Sequence, residues 1–196
     1  MAKIYLKRPS ISLSESVYNT NMIFPCFEAM LAMIKKNEHA PYFIPGESEL
    51  AAMAVQLKKM GFKVDKRKIY KADEIIRLAE LRDLEVLVLE TAGAFGHDDH
   101  AKTSFDNSKG MFALLAMLKT VADHYKYASV EEFRKLKLYF VQPSDKHIRL
   151  WSMQYTEHGI YNFVREKKIL VGEEFEERRE YITSLFNFFL TLKVYS

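Results

Sequence analysis

One cysteine, one tryptophan, seven glycines and five prolines are all that this 196-residue chain holds of those four residue types. A lone Cys26 excludes an intrachain disulfide framework and any zinc site built on several cysteines, and it suits a reducing, intracellular compartment, cytoplasm or nucleus. So little glycine beside 14 Phe and 11 Tyr argues against a disordered or low-complexity chain. No run of about 18 apolar residues occurs, so no membrane span is expected. The opening MAKIYLKRPSISLSES has no apolar h-region, so no secretory signal is expected either. Also missing are a glycine-rich phosphate loop, a GxSxG, an HExxH and a dinucleotide fingerprint, which sets aside the enzyme classes built on them. A strong excess of either charge is missing too: 29 basic against 26 acidic residues leave a net charge of +3, which permits an anionic partner without arguing for one.

What is present describes a folded domain. A hydrophobic content of 48% and the chain's length suffice to bury a core without covalent or metal staples. The order of apolar patterns predicts an α+β fold, a mixed sheet flanked by helices, in a single domain over 1–196. Its core is expected over roughly 46–142, with a helical N-terminal extension at 17–36 and C-terminal strands and a helix at 147–193.

In chain order, a polar arm precedes a helix beginning at Pro25, a residue suited to the first helical position. His39–Gly46 (HAPYFIPG) reads as a Pro-punctuated loop. A second helix is expected from about Glu47 to Met60, with Leu50, Met53, Leu57 and Met60 as its buried stripe. On that wheel Glu49 lies roughly 60° from the stripe's centre and Glu47 roughly 100° away, so Glu49 is the acid to look inward. Two acids favouring a helix N-terminus are the plainer reading. The basic segment Phe62–Lys71 suits an edge strand or turn. Strands follow at Glu74–Glu80 and Leu84–Leu89, the second almost unbroken apolar and so covered on both faces.

Ser104 can cap a long helix to about Tyr125, with Phe105, Phe112, Leu115, Leu118, Val121 and Tyr125 as its apolar surface. Asp106, Lys109, Thr120, Asp123 and His124 make its polar stripe. A short helix (SVEEFRKL) and strands at Lys137–Gln142, His147–Tyr155 and Tyr161–Glu166 come next. The final helix, from about Glu173, ends in Phe186, Phe188, Phe189 and Leu192, read as core packing or a homodimer contact.

Ionisable residues gather beside buried elements in Tyr70–Lys109 more than anywhere else. Asp73 stands ahead of one apolar run and Glu90 ends the next. At these two residues the chain resembles the PD-(D/E)XK nuclease superfamily, whose core runs α-β-β-β-α-β. Gly46-Glu47-Ser48-Glu49, Lys71-Ala72-Asp73 and Leu89-Glu90-Thr91-Ala92 are similar to that family's helical Glu, its strand Asp and its acid-x-Lys element. The phrases PGESEL, YKADEIIRL, LVLETAG and FDNSKG further resemble a group of chains from early-diverging fungi with no established activity.

The resemblance implies a phosphodiesterase acting on DNA or RNA with Mg²⁺ or Mn²⁺, hard cations that prefer carboxylate and carbonyl oxygens. Asp73 and Glu90 would be the ligands, Glu49 would support them, and Thr91 would lend its carbonyl. Position 92 is Ala where the family has Lys, so the lysine must come from a neighbouring element, Lys102 or Lys109. Without it, the chain would be an inactive nuclease-fold module that binds nucleic acid or protein. A third reading is an unrelated α+β interaction domain, in which Asp73 and Glu90 are strand-end charges. His97, Asp98, Asp99 and His100 could ligate a transition metal, but read better as a solvated loop beside the cleft.

Overall fold

The structure, a computed structural model, describes residues 10–34, 41–62, 69–172 and 178–193. Among these residues six strands form one sheet in the order β1 (Pro41–Glu49), β2 (Lys71–Leu78), β3 (Leu84–Leu89), β4 (Lys137–Ser144), β5 (His147–Tyr155), β6 (Tyr161–Leu170). All neighbours pair antiparallel except β3 and β4, which are parallel. A parallel pair needs a crossover, and the long helix α4 (His100–His124) supplies it.

Helices cover both faces. On one, α3 (Ala51–Lys59) and α4 bury Leu50, Ile75, Val88, Leu114, Met117 and Phe140. Against the other pack α1 (Glu15–Tyr18), a π-helical turn at Asn19–Ile23, α2 (Phe24–Ile34) and α6 (Arg178–Lys193), around Phe27, Leu89, Val141 and Phe188. The short α5 (Val130–Lys135), capped by Ser129, precedes β4. The α+β architecture expected from the sequence, a mixed sheet flanked by helices, is therefore present. Among the described residues no helix is long and apolar enough to cross a membrane.

Several boundaries differ, each for a physical reason. The expected HAPYFIPG loop is largely strand β1, and Glu47 and Glu49 lie at its end rather than on a helix. Pro45 is tolerated there because β1 is an edge strand, and Gly46, at φ +90°, sits within the irregularity between Pro45 and Ser48. The helix begins only at Ala51, because its first amides find an acceptor elsewhere: the Glu85 carboxylate of β3 takes the N–H groups of Ala51 and Ala52, both at 2.8 Å. Of its expected stripe, Leu50 is buried while Met60 is 60% exposed.

The N-terminal helical segment starts not at Pro25 but at Glu15, where the Ser14 hydroxyl accepts the Val17 N–H. Likewise α4 starts ahead of Ser104, because Asp99 accepts the Lys102 N–H at 2.9 Å. The buried face of α4 is Asp106, Gly110, Ala113, Leu114, Met117 and Val121. Phe105 and Phe112, expected on its apolar surface, are exposed, because small residues let the helix lie close to the sheet along another face. Asp106 and Thr120, expected on a solvated stripe, are buried. Strands β4 and β6 run further than expected, to Ser144 and Leu170. Most of the basic connection (63–68) and the expected start of the last helix (173–177) lie outside the described residues.

Candidate functional site

Where β2 begins and β3 ends, the antiparallel register pairs Glu74 with Leu89, which brings the next residues outward, Asp73 and Glu90, beside each other. The Glu90 N–H continues the parallel ladder to Val141 O at 3.1 Å, so the strand end is held firmly. Asp73 in turn accepts the Thr91 N–H at 2.8 Å. Asp73 thus belongs to β2 itself, two residues inside its start, rather than preceding it.

The first turns of α4 close this corner. Lys109 Nζ lies 3.2 Å from Glu90 Oε2 and 3.9 Å from Asp106 Oδ1. The same ammonium stands 4.8 Å from the Tyr70 ring centroid, within cation–π reach. Lys102 donates to the Thr91 carbonyl at 3.2 Å and pairs with Glu15 of α1. Glu15 also accepts the Gly93 N–H at 2.9 Å, which ties the N-terminal helix to the loop after β3. Nearby, Thr91 Oγ1 donates to Asn19 Oδ1 at 2.6 Å. Gln142 of β4 donates to the Thr103 carbonyl at 2.7 Å, anchoring the first turn of α4 over the site.

Tyr70, Asp73, Glu90, Lys102, Asp106 and Lys109 line an open cleft of about 1060 Å³, with Glu47 and Glu49 at its rim, and Glu15 and Thr91 stand behind it through their bonds to Lys102. Both rim acids are exposed, so Glu49 is not the inward-looking acid of a helix face. Its expected supporting role is open to Glu15, which a helix does contribute to the corner. Two acids that the sequence reading did not bring into the site therefore belong to it, Glu15 and Asp106. The signal for Asp106 was its i, i+4 spacing to Gly110, whose missing side chain marks the face of closest approach to the sheet. For Glu15 the signal was Ser14, a capping residue immediately before it.

The electrostatics are those of acids crowded out of water. Burial first, and then the Asp73 charge, push the Glu90 carboxyl up to about 7 against the pull of Lys109. Burial raises Asp106 to about 6, with Lys109 and Lys102 opposing it. Asp73 is raised as well, by burial and then by Glu15, while the Thr91 N–H holds it down. Lys102 is raised because the Glu15 carboxylate outweighs the burial that would lower it. Buried oxygens without a hydrogen-bond donor remain on Glu90 (Oε1) and Asp106 (Oδ2).

The chemistry of the donors is that of hard oxygen ligands, the kind a divalent cation prefers: adjacent Asp73 and Glu90 carboxylates, with unclaimed oxygens on Glu90 and Asp106, while the Thr91 carbonyl accepts from Lys102. Among the described residues, no group of three or more His, Cys, Asp or Glu side chains is placed to hold a metal ion. A cation there would draw on Asp73, Glu90, the Thr91 carbonyl and waters. Position 92 is fully buried, so a lysine could not stand there without displacing core, whereas Lys102 and Lys109 both reach the cleft.

The histidine-bearing loop is separate in character. Asp98 pairs with His100 at 3.3 Å in solvent and Asp99 is spent as the helix cap. In comparisons with protein-family models, curated proteins and solved structures, no match to this chain was found.

Proposed function

We propose that this chain is a metal-dependent nuclease of the PD-(D/E)XK kind, hydrolysing phosphodiester bonds of DNA or RNA. The observation that carries the proposal is the meeting of Asp73 and Glu90 in one cleft with two lysines from the next helix. The element order supports it in part: β1, β2 and β3 are antiparallel neighbours and α4 crosses over to β4 parallel to β3, as in that family's core, with α3 inserted between β1 and β2 and α5 ahead of β4. Under this reading Glu15, not Glu49, is the acid contributed by the first helix.

Mg²⁺ or Mn²⁺ held by Asp73, Glu90 and the Thr91 carbonyl would acidify a bound water and take up charge on the scissile phosphate. The chain's own residues do the rest. Lys109, 3.2 Å from Glu90, is the lysine to orient the attacking water, and it supplies the positive charge that steadies charge growing on phosphorus. Lys102 orients the Thr91 carbonyl and is itself positioned by Glu15. Asp106 sets the position of the Lys109 ammonium from one turn away on α4. A reducing compartment, cytoplasm or nucleus, suits the lone buried Cys26.

The test pairs a melting curve with a cleavage assay. Mn²⁺ at a hundredfold excess over Kd should stabilise the fold by about 2–3 kcal/mol, read as a rise in melting temperature. Labelled oligonucleotides should be cut only with the metal. Asp73→Asn and Glu90→Gln should abolish both effects, while Lys109→Met should abolish cutting alone. No metal shift and no cutting in the wild type would end the proposal.

A second reading has one observation behind it. Lys109 pairs with Glu90 and Lys102 with Glu15, so both acids already have a cationic partner from the chain itself. That is the arrangement of an inactive nuclease fold kept for binding, and nucleic-acid binding indifferent to metal would identify it.

A further inference from the structure

The cleft does not stop at Lys109. Tyr70 and Lys109 also line a second groove of about 400 Å³ between α3 and α4, whose other walls include Met53, Leu57, Met60, Phe112, Leu115 and Lys119. The two hollows therefore adjoin, with the Tyr70 ring and the Lys109 ammonium lining both. Phe105 borders the acid cleft and Phe112 borders the groove. They are seven residues apart on α4, so they share one face of the helix about 10 Å from each other. Their exposures are 65% and 56%, so neither ring is spent on the core.

Charge runs along the same path. Lys109 stands 5.9 Å from the Phe105 ring, and Lys119 follows Phe112 by two further turns. Asp123, the acid beside this wall, is paired with Lys59 at 2.5 Å and accepts from Gln56 at 2.9 Å, so it opposes an anionic ligand little.

Aromatic rings spaced along a groove, with ammonium groups beside them, bind nucleic acid by stacking on base faces. In a duplex those faces are already covered by neighbouring bases. Only an unpaired strand can present them. We propose that the α3–α4 groove binds the unpaired bases of a single-stranded nucleic acid, DNA or RNA, with Phe105 and Phe112 as stacking platforms and Lys119 against its backbone. The inference rests on the nuclease reading for its purpose, since the groove would lead a strand to the acids, but not for its test.

Binding is measured on the full chain without divalent metal, by fluorescence anisotropy of labelled single-stranded DNA, single-stranded RNA and the matching DNA duplex. A single strand of at least one kind should bind about tenfold or more tighter than the duplex. Phe112→Ala should weaken single-strand binding by roughly 5- to 100-fold, the range of one lost stacking contact. Phe112→Trp should restore it, and the Mn²⁺ melting shift should stay as in the wild type. Strand binding that depends on Phe112 without any metal-dependent cutting supports the groove and removes the nuclease. Cutting of duplex and single strand alike, indifferent to Phe112→Ala, keeps the nuclease and removes the groove. Failure of both strands to bind, with a concentration-dependent dimer that Phe112→Ala dissolves, would overturn the proposal in favour of a second copy of the chain.

Discussion

Burial and the neighbouring Asp73 hold the Glu90 carboxyl near pH 7 even with the Lys109 ammonium 3.2 Å away. The fold therefore keeps a proton that the unfolded chain releases near its ordinary value of 4.5. A raised folded value means that this group's contribution to stability is complete below about 4.5 and is lost as pH rises through about 7. Glu90→Gln removes that loss. At pH 8 the variant should be more stable than the wild type by about 3 kcal/mol, and at pH 4.5 the two should melt nearly alike, as read by thermal denaturation across pH. Cation binding carries the opposite sign, because ligand carboxylates must first be deprotonated. The Mn²⁺ melting shift should therefore be larger at pH 8 than at pH 5.5, below the values of about 7 for Glu90 and about 6 for Asp106. Of these residues Asp73, Glu90, Lys102 and Lys109 were legible as candidates, since each flanks an apolar run whose type is readable. Asp106 was read as solvated because a hydrophobicity count assigns Phe105 and Phe112 to the core. The glycine and alanines that let α4 approach the sheet carry too little hydrophobicity to show.

At the scale of elements, α4 is the part that makes the site. Its approach to β4 is limited by Gly110, where an added Cβ would stand 2.5 Å from the Phe140 ring. Gly110→Ala should gain about 1 kcal/mol in helix propensity and lose about 1–3 kcal/mol to overpacking, so denaturant titration should show a net loss. The helix must also lift or turn, moving Asp106 and Lys109, so the same variant should weaken the Mn²⁺ melting shift. Strands β3 and β5 were legible to the residue, because their apolar runs are bounded by turn residues on each side. The start of α3 was not. Its cap is Glu85, whose carboxylate also takes Arg77 at 2.8 Å, and no local rule reveals an acceptor more than thirty residues away. β1 was hidden for the converse reason: two prolines suggest a loop unless the strand is known to lie at the sheet's edge.

For the whole molecule, helices α2 and α6, far apart in the chain, meet on the face opposite α4. Phe27 of α2 and Phe189 of α6 are in edge contact at 5.0 Å, and Phe188 is fully buried beside them. The last helix thus spends most of its aromatic surface on the core, leaving Phe186 partly exposed for any contact between copies. Phe188→Ala should cost about 3–5 kcal/mol of global stability, a large share of what a domain this size has to lose. The residue lies on the other face of the sheet from the cleft, so the Mn²⁺ melting shift should persist in that variant.

The sequence by itself determined the kinds of element and most of their order, because hydrophobic period and capping residues act within a few positions along the chain. It also determined that acids and lysines flank buried strands between Tyr70 and Lys109. Only the tertiary structure decided which of them meet. The antiparallel register of β2 on β3 set Asp73 beside Glu90, and the seating of α4 turned Asp106 and Lys109 inward while leaving Phe105 and Phe112 outside. Glu15 entered from another helix altogether. Register and helix rotation are fixed by packing between segments far apart in the chain, and a difference of one residue or 100° exchanges a buried side chain for an exposed one.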